Sequence, residues 1–142
     1  MKLDELILDV EQSIEIKGDI GDVFKSTLHH LGKGHTTLDG TPLNLELEEW
    51  AGGRWFRDRG EGVQHLWGHV QVLKPPVLIE ISGPMFMSYP ALNHIEVKLE
   101  KVAGGTKLNF RHRAIGMISP EHREGVSTGW GGLLNGIKSD FA

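Results

Sequence analysis

The feature that most constrains the fold is a set of segments in which apolar and polar residues alternate. In residues 94–101 (HIEVKLEK), Ile95, Val97 and Leu99 fall on one face and polar side chains on the other. Successive side chains of a strand point to opposite faces of a sheet, so this alternation is typical of a strand with one buried face. Residues 106–114 (TKLNFRHRA) repeat the pattern after a glycine turn, which predicts an antiparallel hairpin.

Five further segments carry strand patterns, and glycine or proline residues separate them. They are the second half of residues 6–17 and residues 43–50, 54–59, 63–73 and 77–81. Residues 43–50 (LNLELEEW) alternate regularly, which predicts one half-buried strand. Both faces of residues 63–73 carry large side chains, so the sequence leaves open which face of that strand is buried.

Two segments carry apolar residues at helical spacing instead. The first spans residues 22–31, and Gly32 ends it. The second spans residues 120–139, where Ser119 can cap the first turn and Pro120 can occupy it. Its apolar residues are Val126, Trp130, Leu133, Leu134 and Ile137. This helix also carries several glycines, each costing about 1 kcal/mol relative to alanine, so we expect close contact between its backbone and a sheet.

The C-terminal helix is the predicted element with enough apolar surface to cover one face of so large a sheet. We therefore predict an α+β fold of the helix-grip type, in which a curved antiparallel sheet of six to seven strands wraps around that helix. The 142 residues are predicted to form one domain, residues 1–142. The predicted inner face of the sheet carries Leu45, Leu47, Val97, Leu99, Leu108, Phe110 and His112.

Composition argues against several classes of function. The net charge of −4 gives no attraction to phosphate backbones or anionic lipid, so we expect no nucleic-acid partner. The sequence has no cysteine, which removes disulfides, thiolate metal sites and thiol nucleophiles. No run approaches the roughly 20 apolar residues of a membrane span, and the N-terminus lacks the apolar stretch of a signal peptide. We therefore expect a cytoplasmic protein that does not insert into membranes.

The sequence contains no compact motif for a metal, a cofactor or a nucleophile. His65 and His69 are four residues apart on a predicted strand, about 13 Å at roughly 3.3 Å per residue, which is too far to share one ion. There is no G-x-S-x-G segment and no glycine-rich loop before a helix. We therefore predict no metal and no cofactor. The charged residues of the segment 54–59 (RWFRDR) are interpreted as a solvated sheet edge.

Five segments in a fixed order resemble a known family. They are SIEIKGDIGDVF at residues 13–24, AGGRW at 51–55, GHVQVLKPPVLIEIS at 68–82, GGTKLNFRH at 104–112 and GWGGLLNGIKSDF at 129–141. Together they resemble the SRPBCC (START/birch-pollen-allergen) superfamily and, within it, the heat-shock protein 90 ATPase-activator homologues. Phe24 stands where the family usually has tryptophan. The resemblance covers most of the chain and implies a deep cavity between the sheet and the C-terminal helix.

The resemblance also implies that residues facing this cavity bind a small apolar or amphipathic molecule. The candidate binding residues are Trp55, Trp67, Val97, Leu99, Phe110, His112, Trp130, Leu133 and Leu134. A second group lies in residues 83–93 (GPMFMSYPALN), where two prolines prevent a regular strand. That segment is interpreted as a lid over the cavity or, equally, as a contact in a homodimer. The candidate lid residues are Met85, Phe86, Met87 and Tyr89.

Three functions stay open at the level of sequence. The first, which we expect, is a binding protein rather than an enzyme, because no catalytic constellation is recognisable. The second is a cyclase- or hydrolase-like enzyme in which His112, on the predicted inner face, acts as acid or base. The third, implied by the family name alone, is a chaperone-interaction module. His29, His30, His35, His65 and His69 are interpreted as solvated or hydrogen-bonded structural histidines.

Overall fold

The computed structural model describes residues 2–142. These residues form seven strands, two α-helices and a short 3-10 helix at Leu3–Leu6. The strands are β1 (Ile7–Ile16), β2 (Leu45–Leu47), β3 (Arg54–Asp58), β4 (Gln64–Lys74), β5 (Leu78–Gly83), β6 (Ala91–Val102) and β7 (Gly105–Gly116). The helices are α1 (Ile20–Leu31), which joins β1 to β2, and α2 (Pro120–Ser139), which follows β7.

The seven strands form one antiparallel sheet in the order β1-β7-β6-β5-β4-β3-β2. The predicted β6–β7 hairpin is confirmed, and it pairs Val97 with Phe110 and Leu99 with Leu108, all of them buried. Helix α2 packs its predicted apolar stripe against this face, where the rings of Trp130 and Phe110 lie 4.8 Å apart. The predicted α+β fold of the helix-grip type is confirmed.

Side-chain caps determine where both helices begin. The hydroxyl of Ser119 accepts a hydrogen bond from the backbone N–H of His122, so α2 begins at the predicted position. The carboxylate of Asp19 accepts from the N–H of Gly21, which starts α1 at Ile20, two residues earlier than the apolar pattern predicted. Within residues 2–142, neither helix combines the length and the apolar character needed to cross a membrane.

The segment 43–50 was predicted to be one strand, and it is a strand only at Leu45–Leu47. The chain leaves the sheet afterwards because the carboxylate of Glu48 binds both the backbone N–H and the guanidinium of Arg54, each at 2.8 Å. This contact closes the turn between β2 and β3. Strand β2 therefore forms the edge of the sheet, and β3 is paired on both sides. The interpretation of residues 54–59 as an edge is therefore wrong, although Arg54, Asp58 and Arg59 are exposed as expected.

Strand β4 is irregular at the position where the sequence left the buried face open. Trp67 is an extra residue on β4, with no residue opposite it on β3. Such a bulge changes the side to which the following residues point, and both Trp67 and Val70 are buried. Gly68 fits here because a Cβ at this position would lie only 2.6 Å from the carbonyl oxygen of Ser82 on β5. The bulge therefore turns Trp67 toward the core.

Candidate ligand-binding site

A cavity of about 590 Å³ opens between α2, the segment that follows α1, and the β3–β4 end of the sheet. Trp67, Phe86 and Trp130 provide aromatic lining, and Val126 and Leu133 provide aliphatic lining. Across from α2, the wall consists of residues between His35 and Leu43. Because several of the lining residues are exposed, the cavity communicates with solvent.

Four glycines of α2 form one side of the cavity. They are Gly125, Gly129, Gly132 and Gly136, and their spacing of four, three and four residues places them on one face of the helix. We call these four residues the glycine face. The prediction that the glycines contact a sheet is wrong here, because a Cβ added at Gly125 or Gly129 would meet nothing within 4 Å. The glycine face widens the cavity.

The two other glycines of the face approach the opposite wall instead of the sheet. A Cβ at Gly132 would lie 2.6 Å from the exposed side chain of Leu38, and one at Gly136 would lie 3.2 Å from the ring of His30. Outside the glycine face, a Cβ at Gly131 would lie 3.6 Å from Gln12 Oε1 on β1. The glycines of α2 therefore have different surroundings, and four of them border open space or the far wall of the cavity.

The structure brings together only part of the predicted binding set. Trp67, Trp130, Leu133 and, from the predicted lid, Phe86 line the cavity. The other predicted binding residues lie in the core and do not line it: Trp55, Val97, Leu99, Phe110, His112 and Leu134. Trp130 of α2 covers two of them, since its ring centroid lies 4.8 Å from that of Phe110 and 5.6 Å from that of His112. The space between α2 and the sheet is therefore filled beside Phe110 and His112 and open beside Trp67.

The predicted lid segment is a packed wall in the structure. Met85 and Met87 are buried, and the backbone N–H of Met85 donates to the carbonyl of Trp67 at 2.7 Å. Phe86 packs edge-to-face on Trp67, with ring centroids 5.6 Å apart. Tyr89 is half-buried, outside the cavity lining, and bonds to His122. These contacts connect the segment to both the sheet and α2.

His112 belongs to a buried chain of hydrogen bonds. The indole N–H of Trp130 donates to His112 Nδ1 at 3.0 Å, and His112 Nε2 lies 2.7 Å from Asn93 Oδ1. An indole nitrogen can only donate, so Nδ1 accepts and the ring proton lies on Nε2. The amide of Asn93 in turn donates to the carbonyl of Pro84 at 3.1 Å. Burial lowers the pKa of His112 to about 4, so the imidazole is neutral near pH 7.

The sequence did not identify Arg57 as part of the cavity wall. Arg57 is half-buried and lines the cavity, and its Nε donates to the carbonyl of Leu43 at 2.8 Å. It lies two residues after the buried Trp55, on the same face of β3. That spacing would have predicted an inward position for Arg57. The neighbouring charges at Arg54, Asp58 and Arg59 instead favoured a solvated segment.

Two buried polar atoms beside the cavity have no hydrogen-bond partner in residues 2–142. They are Nε1 of Trp67 and Nδ1 of His35, two residues that line the cavity with ring centroids 6.0 Å apart. An unpaired buried donor costs about 1–3 kcal/mol, so a partner from water or a ligand would stabilise it. Burial lowers the pKa of His35 to about 4, which keeps this ring neutral near pH 7.

A second hydrogen-bonded group lies at the start of α2. The hydroxyl of Tyr89 lies 2.6 Å from Nδ1 of His122 and accepts from the backbone N–H of Ser119 at 3.3 Å. Because the hydroxyl accepts from the backbone, its own proton is available to Nδ1. His122 also lines the cavity, although nothing in its sequence context indicated a site. Within residues 2–142, no cluster of three or more His, Asp or Glu side chains could hold a metal ion.

Comparison with known proteins adds a family and a fold. The family model described as "Activator of Hsp90 ATPase homolog 1-like protein" matches residues 29–142. A solved protein of Chromobacterium violaceum is 18% identical with a TM-score of 0.74, over 94% of this chain and 96% of that one. The Aha1 dimer of Colwellia psychrerythraea is 18% identical with a TM-score of 0.69, also over 94% of this chain and 96% of that one.

A third solved structure belongs to a longer protein. The di-domain ARO/CYC StfQ from the steffimycin biosynthetic pathway is 18% identical with a TM-score of 0.68, over 99% of this chain and 52% of StfQ. At such identities the similarity shows the fold alone. No curated protein sequence matches this chain.

Proposed function

Because the chain belongs to the family of Activator of Hsp90 ATPase homolog 1-like proteins, within the SRPBCC superfamily, we propose that it is a binding protein for a small apolar or amphipathic molecule. The observation that carries this proposal is the cavity beside the glycine face of α2. Its volume of about 590 Å³ falls in the range of roughly 300–1,000 Å³ that is typical of small-molecule sites. Its aromatic lining suits an apolar ligand body.

The glycine face supports the same proposal from energetics. Glycine in a helix interior is less favourable than alanine by about 1 kcal/mol. At Gly125 and Gly129 a side chain would meet nothing within 4 Å, so packing of the chain on itself does not require glycine there. A ligand occupying the cavity would require it, because each added side chain would take part of the ligand's volume.

The variant Gly129→Leu tests the proposal by filling the cavity from α2. Thr128→Leu is the matched control, because Thr128 is exposed on the same helix and does not line the cavity. The probes are substituted naphthalenes and saturated fatty acids of about 8 to 14 carbons. Native mass spectrometry detects the bound probe, and a thermal-shift assay measures how far it stabilises the protein. We expect the wild type and Thr128→Leu to bind at least one probe, and Gly129→Leu to bind it at least tenfold more weakly.

Two results would contradict this function. One is that no probe raises the melting temperature of the folded wild type and that no complex with a probe is detected by mass spectrometry. The other is a Gly129→Leu variant that binds with the affinity of the wild type, because the ligand would then occupy some other surface.

Catalysis by His112 has less support than binding. Both of its ring nitrogens are engaged in hydrogen bonds, and the residue does not line the cavity. A general acid or base needs a ring nitrogen within hydrogen-bond reach of the substrate. The similarity to the ARO/CYC protein StfQ is one of fold and assigns no reaction to this chain. A chaperone interaction rests on the family description alone, and a cytoplasmic location stays an expectation of the sequence.

We also propose that the chain forms a homodimer through the outer face of the sheet. Ile115 of β7 pairs with Ile7 of β1 on one side and with Leu92 of β6 on the other. These three apolar side chains are exposed, at 55%, 42% and 63%, and together form a patch that a second copy could cover. The solved Aha1 of Colwellia is described as a dimer.

Light scattering tests the proposed homodimer. The wild type should have the mass of a dimer and Ile115→Lys the mass of a monomer. A wild type with the mass of a monomer contradicts the proposed dimer.

A further inference from the structure

We infer that the ligand carries a carboxylate and that Arg57 binds it inside the cavity; this inference rests on the proposed small-molecule function. Arg57 lines the cavity, and no lysine and no other arginine among residues 2–142 does so. It is half-buried on the inner face of β3, so its charge can pair with an anion that enters the cavity. The position of the charge, in a wall that also carries three large aromatic side chains, suits an anionic group on an apolar ligand.

The guanidinium of Arg57 is held in an orientation that leaves its outer nitrogens free. Its Nε donates to the carbonyl of Leu43, whose own N–H donates to the carbonyl of His35 at 3.0 Å. Nη1 and Nη2 make no hydrogen bond to any described residue, and no described carboxylate lies within 4.0 Å of Arg57. Two parallel N–H groups of this kind match the two oxygens of a carboxylate.

Trp67 supplies a second, independent indication of an acceptor. It is 4% exposed, lines the cavity, and its indole N–H has no acceptor in the described protein. Nδ1 of His35, on the ring next to Trp67, is also without a partner. Both residues line the same cavity as Arg57. A carboxylate offers about four lone pairs, so it can pair with Arg57 and still accept from a neighbouring donor.

The charges around the cavity favour a monocarboxylate over a phosphate. A phosphate monoester carries about −1.5 to −2 charges near pH 7, whereas the wall offers one permanent positive charge. His35 is neutral near pH 7, and Glu121, which also lines the cavity, is exposed in the first turn of α2 and forms no ion pair with Arg57. With Trp67, Phe86 and Trp130 as the aromatic lining, the class of ligand is an aromatic or long-chain monocarboxylic acid.

The experiment compares two probes that share a shape and differ in charge, 2-naphthoate and 2-naphthalenemethanol, by titration calorimetry. Arg57→Gln removes the positive charge and keeps a neutral donor. Arg59→Gln is the matched control, because it makes the same change in net charge in the same hairpin, at an exposed residue that does not line the cavity. Binding of the uncharged probe to Arg57→Gln serves as the check that the variant folds and retains the cavity.

We expect the wild type to prefer 2-naphthoate by at least tenfold. Arg57→Gln should lose that preference while its affinity for 2-naphthalenemethanol stays within twofold, and Arg59→Gln should behave like the wild type. Equal affinity of the wild type for the two probes, or a preference that survives in Arg57→Gln, overturns the inference and leaves the proposed binding function intact. Failure of the folded wild type to bind either probe overturns the inference, and it overturns the proposed function too if the fatty acids of the first experiment also fail to bind.

Discussion

The space between the sheet and α2 has two halves that differ in how their polar groups are satisfied. In the filled half, His112 and Asn93 form a continuous chain of buried hydrogen bonds that begins at the indole N–H of Trp130, a residue at the border with the cavity. In the cavity half, the indole N–H of Trp67 and the outer nitrogens of Arg57 have no partner in the described protein. Polar groups in the filled half therefore stabilise the fold, whereas those in the cavity half are available to the ligand that we propose.

The largest expected effect comes from removing an aromatic ring from each half. Phe110→Ala should lower the free energy of unfolding by about 3–5 kcal/mol, because Phe110 is fully buried and its loss leaves a cavity. Phe86→Ala is the matched change in the cavity half, where the ring is half-buried, and it should cost less than half as much. Urea unfolding measures both values. Equal losses would remove the distinction between the halves.

The pH dependence of stability tests the filled half by a smaller effect. Burial lowers the pKa of His112 from 6.5 to about 4. Between these two values the unfolded chain binds a proton that the folded protein does not, so stability is full above pH 6.5 and declines as the pH falls toward 4. For His112 the expected loss between pH 7 and pH 5 is about 2 kcal/mol.

The control for this prediction is His112→Gln, which cannot titrate. Its free energy of unfolding should fall less than that of the wild type between pH 7 and pH 5, whatever its value at pH 7. His35, whose pKa burial also lowers to about 4, contributes in the same direction in both proteins. A wild type and a variant that lose the same stability over this interval would show that His112 is not buried as a neutral ring.

The smallest expected effect concerns the glycine face. Gly129→Ala should raise the free energy of unfolding by up to about 1 kcal/mol, since helix propensity improves and the new methyl group meets nothing within 4 Å. Gly136→Ala should gain less, because its Cβ would lie 3.2 Å from the ring of His30 and the ring must shift. Thermal unfolding of the two variants makes the comparison. A loss of stability in Gly129→Ala would mean that the space beside it is already filled.

The sequence predicted those parts of the fold in which the local pattern and the tertiary contacts agree. Strict alternation predicted β6 and β7, and the cap at Ser119 predicted the start of α2 to the residue. The strand predicted at residues 43–50 is longer than the observed one, because the alternating pattern continues into a turn that Glu48 and Arg54 close. A contact between side chains across a turn is not visible in the periodicity of one segment.

The site was harder to predict because its boundary depends on packing between distant segments. A bulge at Trp67 decides which side chain of β4 faces inward, and a bulge does not appear in an alternation pattern. The glycines of α2 are evident in the sequence, but helix propensity alone does not tell whether a glycine meets a sheet or open space. The charged neighbours of Arg57 favoured a solvated position, whereas its spacing of two residues from Trp55 places it on the inner face.

The indole N–H groups of Trp67 and Trp55 offer the most direct test of the two halves. Trp55 Nε1 donates to the carbonyl of Leu31 at 2.8 Å in the core. Trp67 lines the cavity, and its Nε1 has no partner among the described residues. Titration of ¹⁵N-labelled protein with 2-naphthoate should shift the Trp67 indole signal strongly and leave the Trp55 signal nearly unchanged. If 2-naphthoate binds and the Trp67 signal does not move, the ligand does not occupy this cavity and the account is wrong.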